Sequence, residues 1–205
     1  MLSFLGAAVI AAGCAGSPAK LTPFPPASRP VAAVMDFDYR ASATAFSSSA
    51  AGMADAVTTA LVGTERLKLV ERRRLETAFT EMKLAMTGVI DSNTAVEAGK
   101  LVGADYVIVG SITNVSVRDE GRTVGFAAKT TRYVNVEAEA RMLEVKTGLL
   151  VASGRAEGKA DGSEKRAFGG KMGALPTAES LVQQALMGLG EKLANSIAAN
   201  VQPLK

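Results

Sequence analysis

Histidine and tryptophan are absent from this chain, and cysteine occurs once, at position 14. Without histidine, and with a single thiol, the usual zinc and haem ligand sets and Cys/His nucleophilic chemistry are excluded, as is an internal disulfide. An excess of either charge is lacking too. The 23 basic and 20 acidic residues leave a formal charge of +3, spread along the chain, which gives no footprint for nucleic acid. Nor is there a long hydrophobic run. The uncharged apolar stretch from Leu2 to Gly13 falls short of the roughly 20 residues that a membrane-spanning helix needs. What remains is a composition of 48% apolar and 21% charged residues over 205 positions, enough for one packed domain plus a tail.

The stretch from Leu2 to Gly13 suits the apolar core of a signal peptide. Ala11, Ala12 and Gly13, all small, stand directly before Cys14 and resemble a bacterial lipobox. Cleavage would then fall before Cys14, whose thiol takes a diacyl group and whose new amino terminus is acylated. That use of the thiol explains a lone cysteine in an exported chain. Ala15 follows Cys14 where an inner-membrane retention signal would place aspartate, so outer-membrane sorting is expected. Residues 14–30 carry five prolines among small polar residues and read as a lipidated, extended tether. The domain reading is therefore a signal peptide at 1–13, the tether at 14–30, a folded domain at 31–199 and a tail at 200–205.

Within the domain, residues 31–39 (VAAVMDFDY) read as a buried strand ending at an acidic edge. A helix is expected from about Ala50 to Leu61, stopped by Gly63, and a short strand over 67–72. Leu75, Ala78, Phe79 and Met82 then recur at helical spacing. The spacing predicts another helix from about Asn93 to Leu101, with Gly103 past its end. Residues 105–112 (DYVIVGSI) form the clearest core strand, apolar on both faces. From Val134 to Val145 apolar and polar residues alternate, as in a sheet with one wet face. Lys146-Thr147-Gly148 marks a turn, and 149–156 returns. The glycine-rich, charged stretch 157–175 reads as a mobile loop. A final helix spans 178–199. The fold class expected is α/β (α+β): one sandwich domain whose mixed, partly antiparallel sheet is packed with helices.

Chemistry is hard to place on this pattern. Asp36 and Asp38 share a side if their strand stays regular, and paired carboxylates can bind metal or move protons. No nucleophile with an orienting base accompanies them, so a strand-end cap or loop anchor is the better reading. Arg72, Arg73 and Arg74 lack interleaved aromatics and share their segment with Glu71, Glu76 and Glu81; a solvated helix face with an Arg72–Glu76 pair is expected. Residues 168–173 lack the spacing of a phosphate-binding loop. No catalytic, cofactor or metal residues are assigned, and an enzyme is not expected.

Three stretches carry a resemblance: residues 31–38 (VAAVMDFD), residues 69–72 (LVER) followed by Leu75, and residues 99–112 (GKLVGADYVIVGSI). Together with the hairpin over 136–152 they resemble the curli production assembly/transport component CsgG family. The positions that carry it make Asp36, Asp38, Glu71, Arg72, Gly103, Asp105, Gly110 and Ser111 candidates for structural or partner contacts. The resemblance implies a lipid-anchored domain on the periplasmic face of the outer membrane, without a cofactor, that works through a protein partner or as a homo-oligomer. In the pore-forming members of the family, two hairpins per subunit build a barrel; the corresponding regions here are about 113–133 and 155–176. Arg118, Asp119, Glu120 and Arg122 in the first, and the charged glycine-rich second, depart from lipid-facing alternation. The expectation is a curli-type transport or assembly component without a full barrel. The alternative is an interaction lipoprotein that regulates an envelope enzyme such as a peptidoglycan synthase.

Overall fold

The computed structural model describes residues 21–82, 91–167 and 170–204. Cys14 and the segments expected as signal peptide and first part of the tether lie outside the described residues. In chain order the elements are β1 (Val31–Tyr39), α1 (Ser49–Thr64), β2 (Lys68–Leu69), α2 (Arg72–Glu81), α3 (Ser92–Val102), β3 (Tyr106–Val124), β4 (Ala127–Glu144), β5 (Leu150–Ala167), β6 (Gly170–Met172) and α4 (Ala178–Ala198). The strands form one sheet in the order β2-β1-β3-β4-β5-β6. β1 pairs in parallel with β2 and β3, whereas β3 to β6 form an antiparallel meander. The chain is α+β, a mixed sheet packed with helices.

The base of the sheet is covered twice. Strand residues alternate between faces, so Phe37, Ile108, Ile112, Val136 and Met142 meet Met53, Val57 and Leu61 of α1 and Leu186, Leu189, Leu193 and Ile197 of α4. Ala33, Met35, Val107, Val109, Leu143 and Val145 point the other way, onto Leu75, Phe79, Ala95 and Val102 of α2 and α3. The continuous apolar run of residues 106–109 follows from that double cover. Asp91 caps α3 by accepting from the amides of Asn93 and Thr94, and Gly103 closes it in the left-handed region at φ 69°. Thr177 caps α4 in the same way.

Four expectations need correction. The stretch 157–175 is not a mobile loop through most of its length: β5 runs unbroken to Ala167, with β6 paired to its end. Its glycines serve close approach instead. A Cβ on Gly158 would lie 2.1 Å from the Ala185 carbonyl oxygen, and one on Gly154 would lie 2.8 Å from Ser196 Oγ. These positions let α4 sit directly on β5. Gly63 does not stop α1. The helix continues to Thr64, and Glu65 leaves it in the left-handed region at φ 53°. The Phe24 amide donates to the Glu65 carbonyl at 3.0 Å and Arg29 pairs with the Glu65 carboxylate at 2.8 Å, which hold this uncommon conformation. Residues 24–30 therefore dock on the domain rather than running free up to Val31; the Arg66 guanidinium also stacks 4.2 Å above the Phe24 ring. Finally, the strand expected over 67–72 is only Lys68–Leu69, because α2 begins at Arg72.

Beyond Val115, β3 leaves the helices behind, while the start of α4 still covers Val134 and Ala160 of its partner strands and Pro176 lies against Gly162. β3 from Ser116 to Val124 is exposed throughout, and its partner segments in β4 and β5 extend with it. At the strand rise of about 3.3 Å per residue, β3 runs about 60 Å from the base to the Gly125–Phe126 turn. The lower half is a body with two cores, and the upper half is a polar arm.

Candidate functional site

The positions singled out in the sequence fall into three places. At the base, Asp105 ties the strand starts together. Its carboxylate accepts from the Val31 amide at 2.8 Å, its own amide donates to the Val31 carbonyl at 2.8 Å, and its carbonyl accepts from the Val145 amide at 2.9 Å. Gly103 lies just before it, at the end of α3. Burial, helped by the Glu144 and Asp105 charges, pushes the neighbouring Tyr106 phenol up.

At the edge of β1, Arg72 gathers carboxylates from three elements: Asp36 of β1 at 2.7 Å, Glu76 of α2 at 3.5 Å and Asp55 of α1 at 3.9 Å. The expected pairing with Glu76 is present, but the contact with Asp36 is shorter and joins helix to sheet. Glu71 precedes α2 in an extended conformation without a side-chain cap bond. Its carbonyl accepts from the Arg74 amide at 3.0 Å.

The third place is the sheet face just above α2 and α3. The pairing of β1 with β3 shifts register between Val34 and Phe37, so strict alternation does not carry from Asp36 to Asp38. The two carboxylates have separate partners: Asp36 takes Arg72, and Asp38, which is buried, takes Arg40 at 2.9 Å. Asp38 lies opposite Ser111, which lies opposite Glu139, which lies opposite Arg155. The buried Ser111 hydroxyl donates to the Glu139 carboxylate at 3.3 Å. Arg155 reaches diagonally to Glu137 at 3.1 Å, and Asn114 donates to the same carboxylate at 3.3 Å. On the opposite side of the same strands, Gly110 lies under the Phe37 ring; a Cβ there would come within 2.2 Å of it. The result is a transverse polar row across four strands, open to solvent on one side and rooted in the core on the other.

Sequence reasoning brought Asp38 and Ser111 forward but missed Arg40, Glu137, Glu139 and Arg155. Glu137 and Glu139 were legible as wet-face residues of β4, and the strand pairing that joins them to Ser111 and Arg155 is a long-range fact. Higher in the arm, Arg132 makes a two-pronged contact with Asp119, at 2.8 and 2.7 Å, and donates to the Pro176 carbonyl at 3.0 Å. That hydrogen bonding holds the Asp119 carboxyl below the usual carboxylate range and lifts Arg132. The arrangement is one of fixed charges that position strands and offer a polar face. Among the described residues no group of three or more carboxylate or thiol side chains is placed to hold a metal ion.

The family model described as curli production assembly/transport component CsgG matches residues 19–204. No curated protein sequence matches the chain significantly. Among solved structures, the chain is similar to the C-terminal domain of LpoB from Salmonella enterica, with 18% identity over 63% of this chain and 82% of that one and a TM-score of 0.47. It is also similar to LpoB of Escherichia coli, at 15% identity over 77% and 82% of the two chains with a TM-score of 0.44. The PelC dodecamer from Paraburkholderia phytofirmans is similar at 11% identity over 85% and 93%, with a TM-score of 0.37.

Proposed function

The chain belongs to the curli production assembly/transport component CsgG family, and from that premise we propose that it is an envelope lipoprotein, anchored through acylated Cys14 at the periplasmic face of the outer membrane, that supports assembly or secretion through protein contacts and performs no catalysis. The match over residues 19–204 carries this reading. The accessible end of the polar row, Arg155 with the half-buried Glu137 and Glu139, suits a protein partner or a second copy of the chain, while the buried Asp38 and Ser111 root the row and Asp36, Arg72, Asp105, Gly103 and Gly110 hold the strands that present it.

The arm argues for a component without a full barrel. Paired residues share a face, so one face of the arm carries Arg118, Glu120, Lys129, Lys159 and Asp161, and the other carries Asp119, Arg132, Glu164 and Arg166. A spanning hairpin needs one face with an apolar band about 25 Å tall, and charges on a lipid face cost about 2–4 kcal/mol each at the midplane for basic residues. Two measurements test the reading. Labelled palmitate should enter the protein in a bacterial host and fail to enter Cys14→Ala; label retained in that variant removes the anchor. The lipidated protein in planar bilayers should give no stable unitary conductance, and reproducible channel steps would replace the proposal with a secretion channel.

A further inference from the structure

The end of the arm differs from the rest of it. Its outermost rung is Val124, Ala127, Ala167 and Gly170 on four adjacent strands, each directly opposite the next, and it carries no charge. Phe126 projects at the turn, 86% exposed, beside Val124 at 80%. On the same face, two residues back along each strand, the rung is Arg122, Lys129, Lys165 and Met172. On the opposite face, the intervening rung contains Arg166 and Lys171. Arg166 pairs with Glu164, but among the described residues Arg122, Lys129, Lys165 and Lys171 have no ion-pair partner.

Three cations placed directly opposite one another across two strand pairings repel and destabilise the sheet. An external anion relieves that repulsion. The apolar rung lies about 7 Å ahead of the cations, from two residues of antiparallel rise. Apolar groups entering a bilayer interface sit about 5–10 Å deep, at the boundary where headgroup phosphates meet acyl chains. The arm end therefore has the order that an anionic lipid surface requires: an apolar front and a ring of cations at phosphate depth.

We propose that the end of the β3–β6 arm docks on an anionic phospholipid surface, with Val124 and Phe126 in the interface and Arg122, Lys129, Lys165 and Lys171 on the phosphates. This is a shallow contact, distinct from a spanning hairpin, because charged residues occupy both faces immediately behind it. It adds a second lipid contact to the anchor proposed at Cys14, and the two can fail separately.

The single cysteine makes a direct test available. The full chain carrying Cys14→Ser and Ala127→Cys is labelled at the arm end with an environment-sensitive dye and titrated with vesicles. Vesicles of phosphatidylethanolamine and phosphatidylglycerol should blue-shift the dye, and pure phosphatidylcholine vesicles should not. A label at Ser153→Cys, near the base of β5, should stay unchanged. Adding Arg122→Gln, Lys129→Gln and Lys165→Gln should raise the lipid concentration at half-saturation on the order of a hundredfold, from about fivefold per basic residue near an anionic surface. The triple variant should keep its circular dichroism and melt no lower than its parent, since it removes like-charge contacts. No shift with phosphatidylglycerol vesicles overturns the proposal. So does an equal shift with phosphatidylcholine, an equal shift at Ser153→Cys, or a shift induced by polyphosphate without vesicles, which would assign the cations to a soluble polyanion.

Discussion

β4 and β5 lie side by side, each 18 residues long, yet they line one face of the sheet by opposite means. β4 fills it with Val134, Val136, Ala138, Ala140 and Met142, all buried. β5 places Ala152, Gly154, Ala156, Gly158 and Ala160 at the paired positions, and Gly162 opposite Arg132. The difference lies in how close the opposite element comes. β4 faces side chains of α1 and α4 at ordinary packing distance, whereas α4 and Pro176 press directly on β5, with Ser196 at Gly154, the Ala185 backbone at Gly158 and the Pro176 ring at Gly162, which leaves no room for a side chain at those glycines. One strand contributes volume and its neighbour contributes space, and α4 seats only because both do.

The comparison breaks most visibly at Gly158. A Cβ there meets the Ala185 carbonyl oxygen at 2.1 Å, backbone that cannot rotate away. Gly158→Val is expected to cost more than about 3 kcal/mol in denaturant unfolding, at or above the upper range for overpacking. Next comes Val136→Ala, its partner position on β4. Removing two carbons from a fully buried site should cost roughly 1–3 kcal/mol, with Val107→Ala similar on the other face of the sheet. The same Gly-to-Val change turns harmless in the arm. Nothing lies within 4 Å of a Cβ on Gly121, so Gly121→Val should leave stability unchanged or raise it by up to about 1 kcal/mol. A loss as large as at Gly158 would show that space in this sheet is not what the glycines supply.

The smallest effect depends on pH. Hydrogen bonding from Arg132 depresses the folded-state pKa of Asp119. A depressed carboxylate stabilises above its unfolded-state pKa and loses that contribution as pH falls through the folded value. Melting of wild type and Asp119→Asn should therefore differ at pH 7 and converge at acidic pH, below the usual carboxylate range. Since the pair is solvent-exposed, salt should narrow the gap at pH 7.

Legibility followed the same division. β1, α3, α4 and the turn at Lys146-Thr147-Gly148 were readable because their signals are local: periodic apolar residues with capping or left-handed positions at the ends. The first part of β5 was readable as the return over 149–156, but its continuation from residue 157 was missed although it alternates as regularly as β4. Its inward positions are alanine and glycine, and a pattern of small residues is read as flexibility when the element it admits lies elsewhere in the chain. Glu65 was missed because contacts from Phe24 and Arg29, more than thirty positions away, hold its backbone. At the polar row, Asp38 and Ser111 were visible as residues, but their alignment with Glu139 and Arg155 is a property of strand register. The apolar front of the arm showed locally only as the weak alternation of residues 123–128 (TVGFAA), since Val124, Ala127 and Ala167 become one rung only after three strands have paired.

The latch at Asp105 also constrains assembly. Val31 and Asp105 stand 74 positions apart, whereas Val124 and Ala127 face each other across a two-residue turn. Closing the longer loop costs more entropy, and parallel pairing at such separation is slow compared with a meander built from neighbours. β1 leaves the ribosome before β3, β4 and β5, yet its place between β2 and β3 exists only after β3 is in position. Its pairing with β3 must therefore wait for a strand made much later. Until then Ala32, Ala33, Val34 and Met35 form the apolar strand that most needs shielding from other unfolded chains.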